Sequence, residues 1–159
     1  MKNKTHLRFG FLAAAINFAL LLTQYFTHTS SANIFFRILS LAVLVVAVVA
    51  SCLRFSREME HKASFGEVFG TGFRTTAAAT VIFAALFMLF AQVMPGYKDA
   101  FIHDMIAMGP QADMPETHAA EFERLKQAFP VTVLSGILML YVLPGIVAAV
   151  LGAALAKKK

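Results

Sequence analysis

The chain has 159 residues, of which 58% are hydrophobic and 14% are charged. A soluble domain is usually about 45–50% apolar and about 25% charged, so the composition excludes an ordinary soluble protein and indicates a lipid environment. The length fits a single domain over residues 1–159. The one cysteine, Cys52, excludes an internal disulfide. The net charge of +5 is distributed as in membrane proteins, so we expect no nucleic-acid partner.

Four apolar runs are each close to the length of about 20 residues that crosses a bilayer core. They predict spans over residues 9–26, 34–53, 72–94 and 131–156. A cleaved signal peptide is the alternative for the first run, because the small residues Ser30 and Ser31 follow it. That run is longer than the 7–15 apolar residues usual in a signal peptide, which favours a span.

The third span has clear start and stop signals. Ser64 and Glu67 have the Ser-x-x-Glu spacing of a capping box, which satisfies backbone N–H groups at the first turn of a helix. The run Thr75–Met94 contains no charged residue, and Pro95-Gly96 ends it. The sequence therefore predicts a helix that begins at Ser64 and crosses the membrane.

The segment Tyr97–Phe129 is the only sizeable polar part of the chain. Apolar residues recur in it at helical spacing, and Gly109-Pro110 divides it in two. Asp113 and Glu116 form a second capping pattern, with Pro115 in the first turn. We expect two short amphipathic helices, at the membrane interface or over the mouth of the bundle. Their predicted apolar faces are Tyr97, Phe101, Met105 and Met108, then His118, Phe122, Leu125 and Phe129. The fold class expected is an all-α, four-helix transmembrane bundle with this pair between the third and fourth spans.

The basic residues indicate the orientation. Ten of the fourteen Lys and Arg residues lie in the N-terminal segment, the link between the second and third spans, and the C-terminal tail. The other four are Arg37, Lys98, Arg124 and Lys126. Cytoplasmic segments carry the excess of Lys and Arg, so both termini should be cytoplasmic and the amphipathic pair external.

The stretch Ser64–Phe73 reads Ser-Phe-Gly-Glu-Val-Phe-Gly-Thr-Gly-Phe. It resembles the Ser-Phe-Gly-Glu-Ala-Phe-Lys-x-Gly-Phe start of the third helix in a bacterial family of four-span membrane proteins of unknown function. Gly70 stands where that family often has lysine. The amphipathic segment and the apolar last helix ending in lysines add to the resemblance. It implies the bacterial inner membrane and supplies no activity.

Candidate chemistry is sparse. No Asp, Glu, His or Lys lies deep in a span, and Arg37 and Arg74 lie near span ends, which disfavours a proton-coupled transporter. No span pairs a nucleophile with a base, so we expect no enzyme and no cofactor. Met and His side chains can bind Cu(I), but the methionines of the amphipathic segment are in phase with Phe101, which favours an apolar face over a metal site. The residues concerned are His103, Met105, Met108, Met114 and His118.

Helix packing offers the remaining candidates. Gly66 and Gly70 have the small-x-x-x-small spacing that lets helices approach in lipid, and Gly145 begins a similar series; chance in an alanine-rich chain is the alternative. Asn17 and Tyr141 lie near the centres of the first and last runs. A buried amide needs a partner, so we predict that the first and fourth spans are neighbours and that Asn17 bonds to Tyr141 or to backbone freed near Pro144.

The function expected is that of a non-enzymatic accessory or scaffold subunit. Its partners would be the lipid bilayer and either a second copy of the chain or another membrane protein. A small-solute or ion permeation protein is the alternative, which a water-accessible polar lining would favour. The absence of a charged ring or filter from the sequence favours the first hypothesis.

Overall fold

The computed structural model describes residues 4–31, 33–94, 96–109 and 115–157, and these contain six helices and no strand. The helices are α1 (Thr5–Phe26), α2 (Ile34–Glu58), α3 (Phe65–Val93), α4 (Tyr97–Ala107), α5 (Pro115–Gln127) and α6 (Phe129–Lys157).

Four of the helices, α1, α2, α3 and α6, are long and apolar enough to cross a membrane. Each predicted span falls on one of them. The short helices α4 and α5 lie between the third and fourth long helices, so the predicted fold class is confirmed. We call the end of the bundle where α1 and α3 finish and α2 and α6 begin the α4 end.

The predicted capping box at the start of α3 is confirmed. The Ser64 hydroxyl accepts from the Glu67 backbone N–H at 3.3 Å, and the Ser64 N–H donates to the Glu67 carboxylate at 2.8 Å. At the other end of α3, Gly96 has a φ of +76° and turns the chain into α4. Glycine adopts this left-handed conformation without a steric cost. The second predicted cap, at Asp113, lies outside the described residues.

Helix α3 is the centre of the bundle, since it packs against α1, α2, α4 and α6 and has twice as many buried residues as α2. Small residues allow the close approach. A Cβ added at Gly10 of α1 would lie 2.7 Å from Ala78 of α3, and one added at Gly145 of α6 would collide with Thr76 of α3. Both outer helices are thereby held against α3.

The prediction that the first and fourth spans are neighbours is wrong. Helices α1 and α6 each pack against α2 and α3, which lie between them. The physical reason is the placement of the small residues, because Gly10 and Gly145 are each directed at α3 and not at one another.

The half of the bundle away from α4 is close-packed. Cys52 of α2 is fully buried, and Gly72 of α3 and Gly152 of α6 both lie against it. Buried hydroxyls here bond within or between helices: Thr75 donates to the Thr71 carbonyl at 2.9 Å, Thr80 donates to the Thr76 carbonyl at 2.8 Å, and Ser56 of α2 donates to the Ala156 carbonyl of α6 at 3.5 Å. Polar side chains in this half therefore have partners, as burial in a membrane requires.

Candidate functional site

A cavity of about 570 Å³ lies at the α4 end of the bundle. Asn17, Ser40 and Tyr141 are the lining residues of α1, α2 and α6 that lie farthest from the α4 end, and the apolar face of α4 forms the roof. The roof residues are Tyr97, Phe101, Met105 and Met108. Two of these, Tyr97 and Phe101, also pack against the apolar core, so the predicted apolar face of α4 covers both the bundle and the cavity.

The cavity exists because the first part of α2 stands away from the other helices. No residue of α2 before Leu44 is buried, whereas buried residues recur on every turn from Leu44 onward. On the opposite wall, a Cβ added at Gly136 of α6 would meet nothing within 4 Å. Met139 lines the cavity and is nevertheless 71% exposed, so the cavity reaches the outer surface of α6.

Asn17 lies in the cavity wall without a hydrogen-bond partner among the described residues. It is 2% exposed, and both its amide oxygen and its amide nitrogen are unpaired. Leaving such a group unpaired costs a few kcal/mol, and about nine in ten buried polar groups in proteins avoid that cost. Stability alone therefore does not explain why an asparagine is buried at position 17.

Tyr141 does have a partner, but it is not Asn17. Its hydroxyl lies 2.6 Å from the Ser40 hydroxyl of α2, and its ring stacks on Phe83 of α3 at 5.3 Å. The predicted bond from Asn17 to Tyr141 or to backbone near Pro144 is thus wrong, because α1 and α6 face each other across the cavity and do not pack together. Both residues line the same space.

Arg37 brings a positive charge to the cavity wall. Its guanidinium donates to the Met108 sulfur at 3.7 Å, a weak contact, and it forms no ion pair with any described residue. The described ion pairs are Arg54–Glu58, Lys62–Glu60 and Arg124–Glu121. Among the described cavity-lining residues, Arg37 is the only charged one.

Helix α4, which forms the roof, is hydrogen-bonded to the link between α1 and α2. The Asp104 carboxylate of α4 accepts from both the backbone N–H and the hydroxyl of Ser31, each at 2.8 Å. The Tyr97 ring lies 4.8 Å from Phe90 and 5.8 Å from Tyr25. Burial, together with the Asp104 charge, raises the pKa of Tyr97 well above its ordinary value. These contacts hold α4 against the bundle.

The glycines predicted as packing residues separate into two groups. Gly145 makes a close contact with Thr76. Gly66 and Gly70 approach no other part of the described chain, because a Cβ at either would meet nothing within 4 Å. Their surface on α3 is left for lipid or another chain.

The histidines and methionines of the amphipathic segment do not converge. The His103 ring of α4 packs on Phe122 of α5 at 4.8 Å, while Met105 and Met108 line the cavity. Met114 lies outside the described residues, and within the described ranges no three His, Cys, Asp or Glu side chains are grouped to hold a metal ion.

A family profile described as "Protein of unknown function (DUF4199)" matches residues 8–158. The chain belongs to the DUF4199 family. The match covers nearly all of the chain and confirms the resemblance to a family of unknown function. No curated protein and no solved structure matches this DUF4199 member significantly.

Sequence reasoning identified Asn17 and Tyr141 but missed the part played by Arg37 and Ser40. The sequence indicates that Arg37 lies near a span end, and α2 does begin at Ile34. The sequence does show that Arg37 lies one turn before Ser40, and this spacing places both side chains on one face of a helix. Nothing in the sequence indicates that this face borders a cavity.

Proposed function

We propose that this protein is a non-enzymatic accessory subunit of the bacterial inner membrane that binds a small amphiphilic molecule within its bundle. The observation that carries the proposal is Asn17, whose unpaired amide is 98% buried in the wall of a 570 Å³ cavity. A ligand that hydrogen-bonds this amide would remove the cost of its burial.

The size and lining of the cavity support binding over a purely structural role. Small-molecule sites usually have volumes of about 300–1,000 Å³ and mostly apolar walls with a few polar groups. Here the polar groups include Asn17, Arg37 and the Ser40–Tyr141 pair, set among Phe and Met side chains. A scaffold held together by helix packing needs no such space.

The closed end of the cavity supports binding over permeation. The lining includes no residue before Asn17 in α1, none after Ser40 in α2 and none after Tyr141 in α6. Beyond them the bundle is filled by fully buried residues, including Ala14, Leu44 and Val48. A channel needs a continuous path, so this arrangement favours a site that a molecule enters and leaves from one side.

The lining also supports a non-enzymatic role. Its hydroxyl groups at Ser40 and Tyr141 are bonded to each other, and the described lining includes no His, Asp or Glu side chain that could act as a base. General acid–base and nucleophilic catalysis both require such a group within hydrogen-bond reach.

Charge placement supports the orientation. With ten of fourteen Lys and Arg residues on the cytoplasmic side, both termini are cytoplasmic and the cavity lies in the outer half of the membrane. The surface around Gly66 and Gly70 then lies at the cytoplasmic end of α3, where a second copy or another membrane protein would pack.

Tryptophan fluorescence tests the proposal, because the chain has no tryptophan. Phe36→Trp places one reporter in the cavity wall, and Ile38→Trp places one on a surface that is 61% exposed. In nanodiscs, decanoate should change the emission of Trp at position 36 saturably and leave that at position 38 unchanged. Gly136→Phe should abolish the change by filling the cavity, because the space beside Gly136 is open.

Gly70→Phe is the matched control, since Gly70 is also a helical glycine with open space but does not line the cavity. It should keep the response. Equal responses at positions 36 and 38, or a response that survives Gly136→Phe, would mean that the probe only enters the lipid and would contradict the proposal.

A further inference from the structure

Asn17 and Arg37 are polar residues of the cavity without strong partners among the described residues, and they lie at different depths. Asn17 is nine residues before the end of α1, and Arg37 is three residues after the start of α2. With a rise of 1.5 Å per residue, the backbone of Asn17 is about 9 Å deeper in the bundle than that of Arg37. Apolar lining residues such as Leu20 and Ile137 lie between these levels.

We infer that the cavity takes an anionic amphiphile with a second hydrogen-bonding group, a hydroxyl or carbonyl, roughly 10 Å along its apolar body from the charge. The inference rests on the proposed function and names its ligand class. Arg37 would bind the anionic group, and Asn17 would bind the inner polar group.

The surroundings of Arg37 indicate that the outer group of the ligand is anionic. A guanidinium forms its strongest contacts with carboxylates and phosphates, and Arg37 has only the Met108 sulfur among its described partners. The acid of the roof helix, Asp104, accepts two hydrogen bonds from Ser31 and does not line the cavity. The guanidinium is therefore available to an anion from outside the chain.

The chemistry of the Asn17 amide indicates that the inner group of the ligand is a hydroxyl or a carbonyl. A simple fatty acid would place its methyl end beside Asn17 and leave both amide atoms unpaired. A hydroxyl or carbonyl at that depth would accept from the amide nitrogen, and a hydroxyl would also donate to the amide oxygen. Because the amide is almost fully covered, binding requires a rotation of the Asn17 side chain, a change common at binding sites.

Three probes of one chain length test the inference with the Phe36→Trp reporter at pH 8, where a carboxylate is ionised. They are 10-hydroxydecanoate, which has both groups, decanoate, which lacks the inner one, and 1,10-decanediol, which lacks the charge. We expect 10-hydroxydecanoate to bind about tenfold more tightly than either of the others, since each lacks one hydrogen-bonded contact. Arg37→Gln should remove its advantage over the diol, and Arg37→Lys should retain most of it.

Asn17→Leu should remove the advantage of 10-hydroxydecanoate over decanoate, so that the two probes bind this variant with similar affinity. If the three probes bind with equal affinity, or if neither variant changes their order, the inference is overturned while the proposed function stands. If none of the probes gives a saturable signal that Gly136→Phe abolishes, the proposed function fails as well.

Discussion

Asn17 and Tyr141 line one cavity from opposite sides of the bundle, and only Tyr141 has a hydrogen-bond partner. The Tyr141 hydroxyl is paired with Ser40 at 2.6 Å, which ties α6 to α2. The Asn17 amide has been removed from water without compensation inside the described chain. Tyr141 therefore stabilises the fold, whereas the burial of Asn17 costs stability and is explained by the proposed ligand binding.

Asn17→Leu should stabilise the protein. Leucine has the same branching and the same number of side-chain heavy atoms as asparagine, and it removes an unpaired buried amide that costs about 1–3 kcal/mol. Thermal unfolding in detergent should therefore show a higher midpoint than the wild-type protein. Tyr141→Phe is the control and should lower the midpoint, because it leaves the Ser40 hydroxyl without its partner. A lower midpoint for Asn17→Leu would show that the amide has a stabilising partner in solution.

Gly145→Ala and Gly70→Ala should have opposite effects on stability. A Cβ at Gly145 collides with Thr76, and overpacking of this kind costs about 1–3 kcal/mol. A Cβ at Gly70 meets nothing, and alanine in a helix is favoured over glycine by about 0.5–1 kcal/mol. Unfolding midpoints of the two variants measure the difference. Equal midpoints would place the close contact of α6 with α3 in doubt.

Ser64→Ala should destabilise the start of α3. The Ser64 hydroxyl accepts from the Glu67 N–H, and the loss of a capping side chain typically costs about 1 kcal/mol. Because Ser64 is exposed, the substitution disturbs no packing and the effect reports on the cap. Ser64→Asp keeps an acceptor and should retain most of the stability. An unchanged midpoint for Ser64→Ala would mean that the cap does not limit the stability of the bundle.

Cysteine labelling of intact cells tests the orientation. In a Cys52→Ala background, a membrane-impermeant thiol reagent should label Ala107→Cys at the end of α4 and spare Lys62→Cys. The Lys62 side chain is 78% exposed, so its protection would reflect the membrane and not burial. Ser56, near the same end of the bundle, is unsuitable as a labelling position because it is 3% exposed and would resist labelling from either side. The reverse labelling pattern would show that the orientation is the opposite of the one proposed.

Much of the fold could be predicted because its signals are local. The long apolar runs, the Ser64–Glu67 spacing and the Pro95-Gly96 stop each depend on neighbouring residues only. The apolar face of α4 could be predicted for the same reason, since Tyr97, Phe101 and Met105 follow the helical period. The structure changes none of these assignments.

The helix arrangement and the cavity could not be predicted because they depend on contacts between distant residues. An alanine-rich chain offers many small-x-x-x-small spacings, and only the assembled bundle shows that Gly145 meets Thr76 while Gly66 and Gly70 meet nothing. The rule that a buried amide finds a partner placed Asn17 against Tyr141. That rule fails here, and such failures are expected at functional sites.

Native mass spectrometry of the protein purified from its membrane tests the central claim most directly, because it detects a molecule held in the cavity without a chosen probe. The wild-type protein and Gly70→Phe should each retain a non-covalently bound small molecule, and Gly136→Phe should lose it, since only that substitution fills the cavity. Identical bound masses in all three proteins, or none in any, would contradict the account.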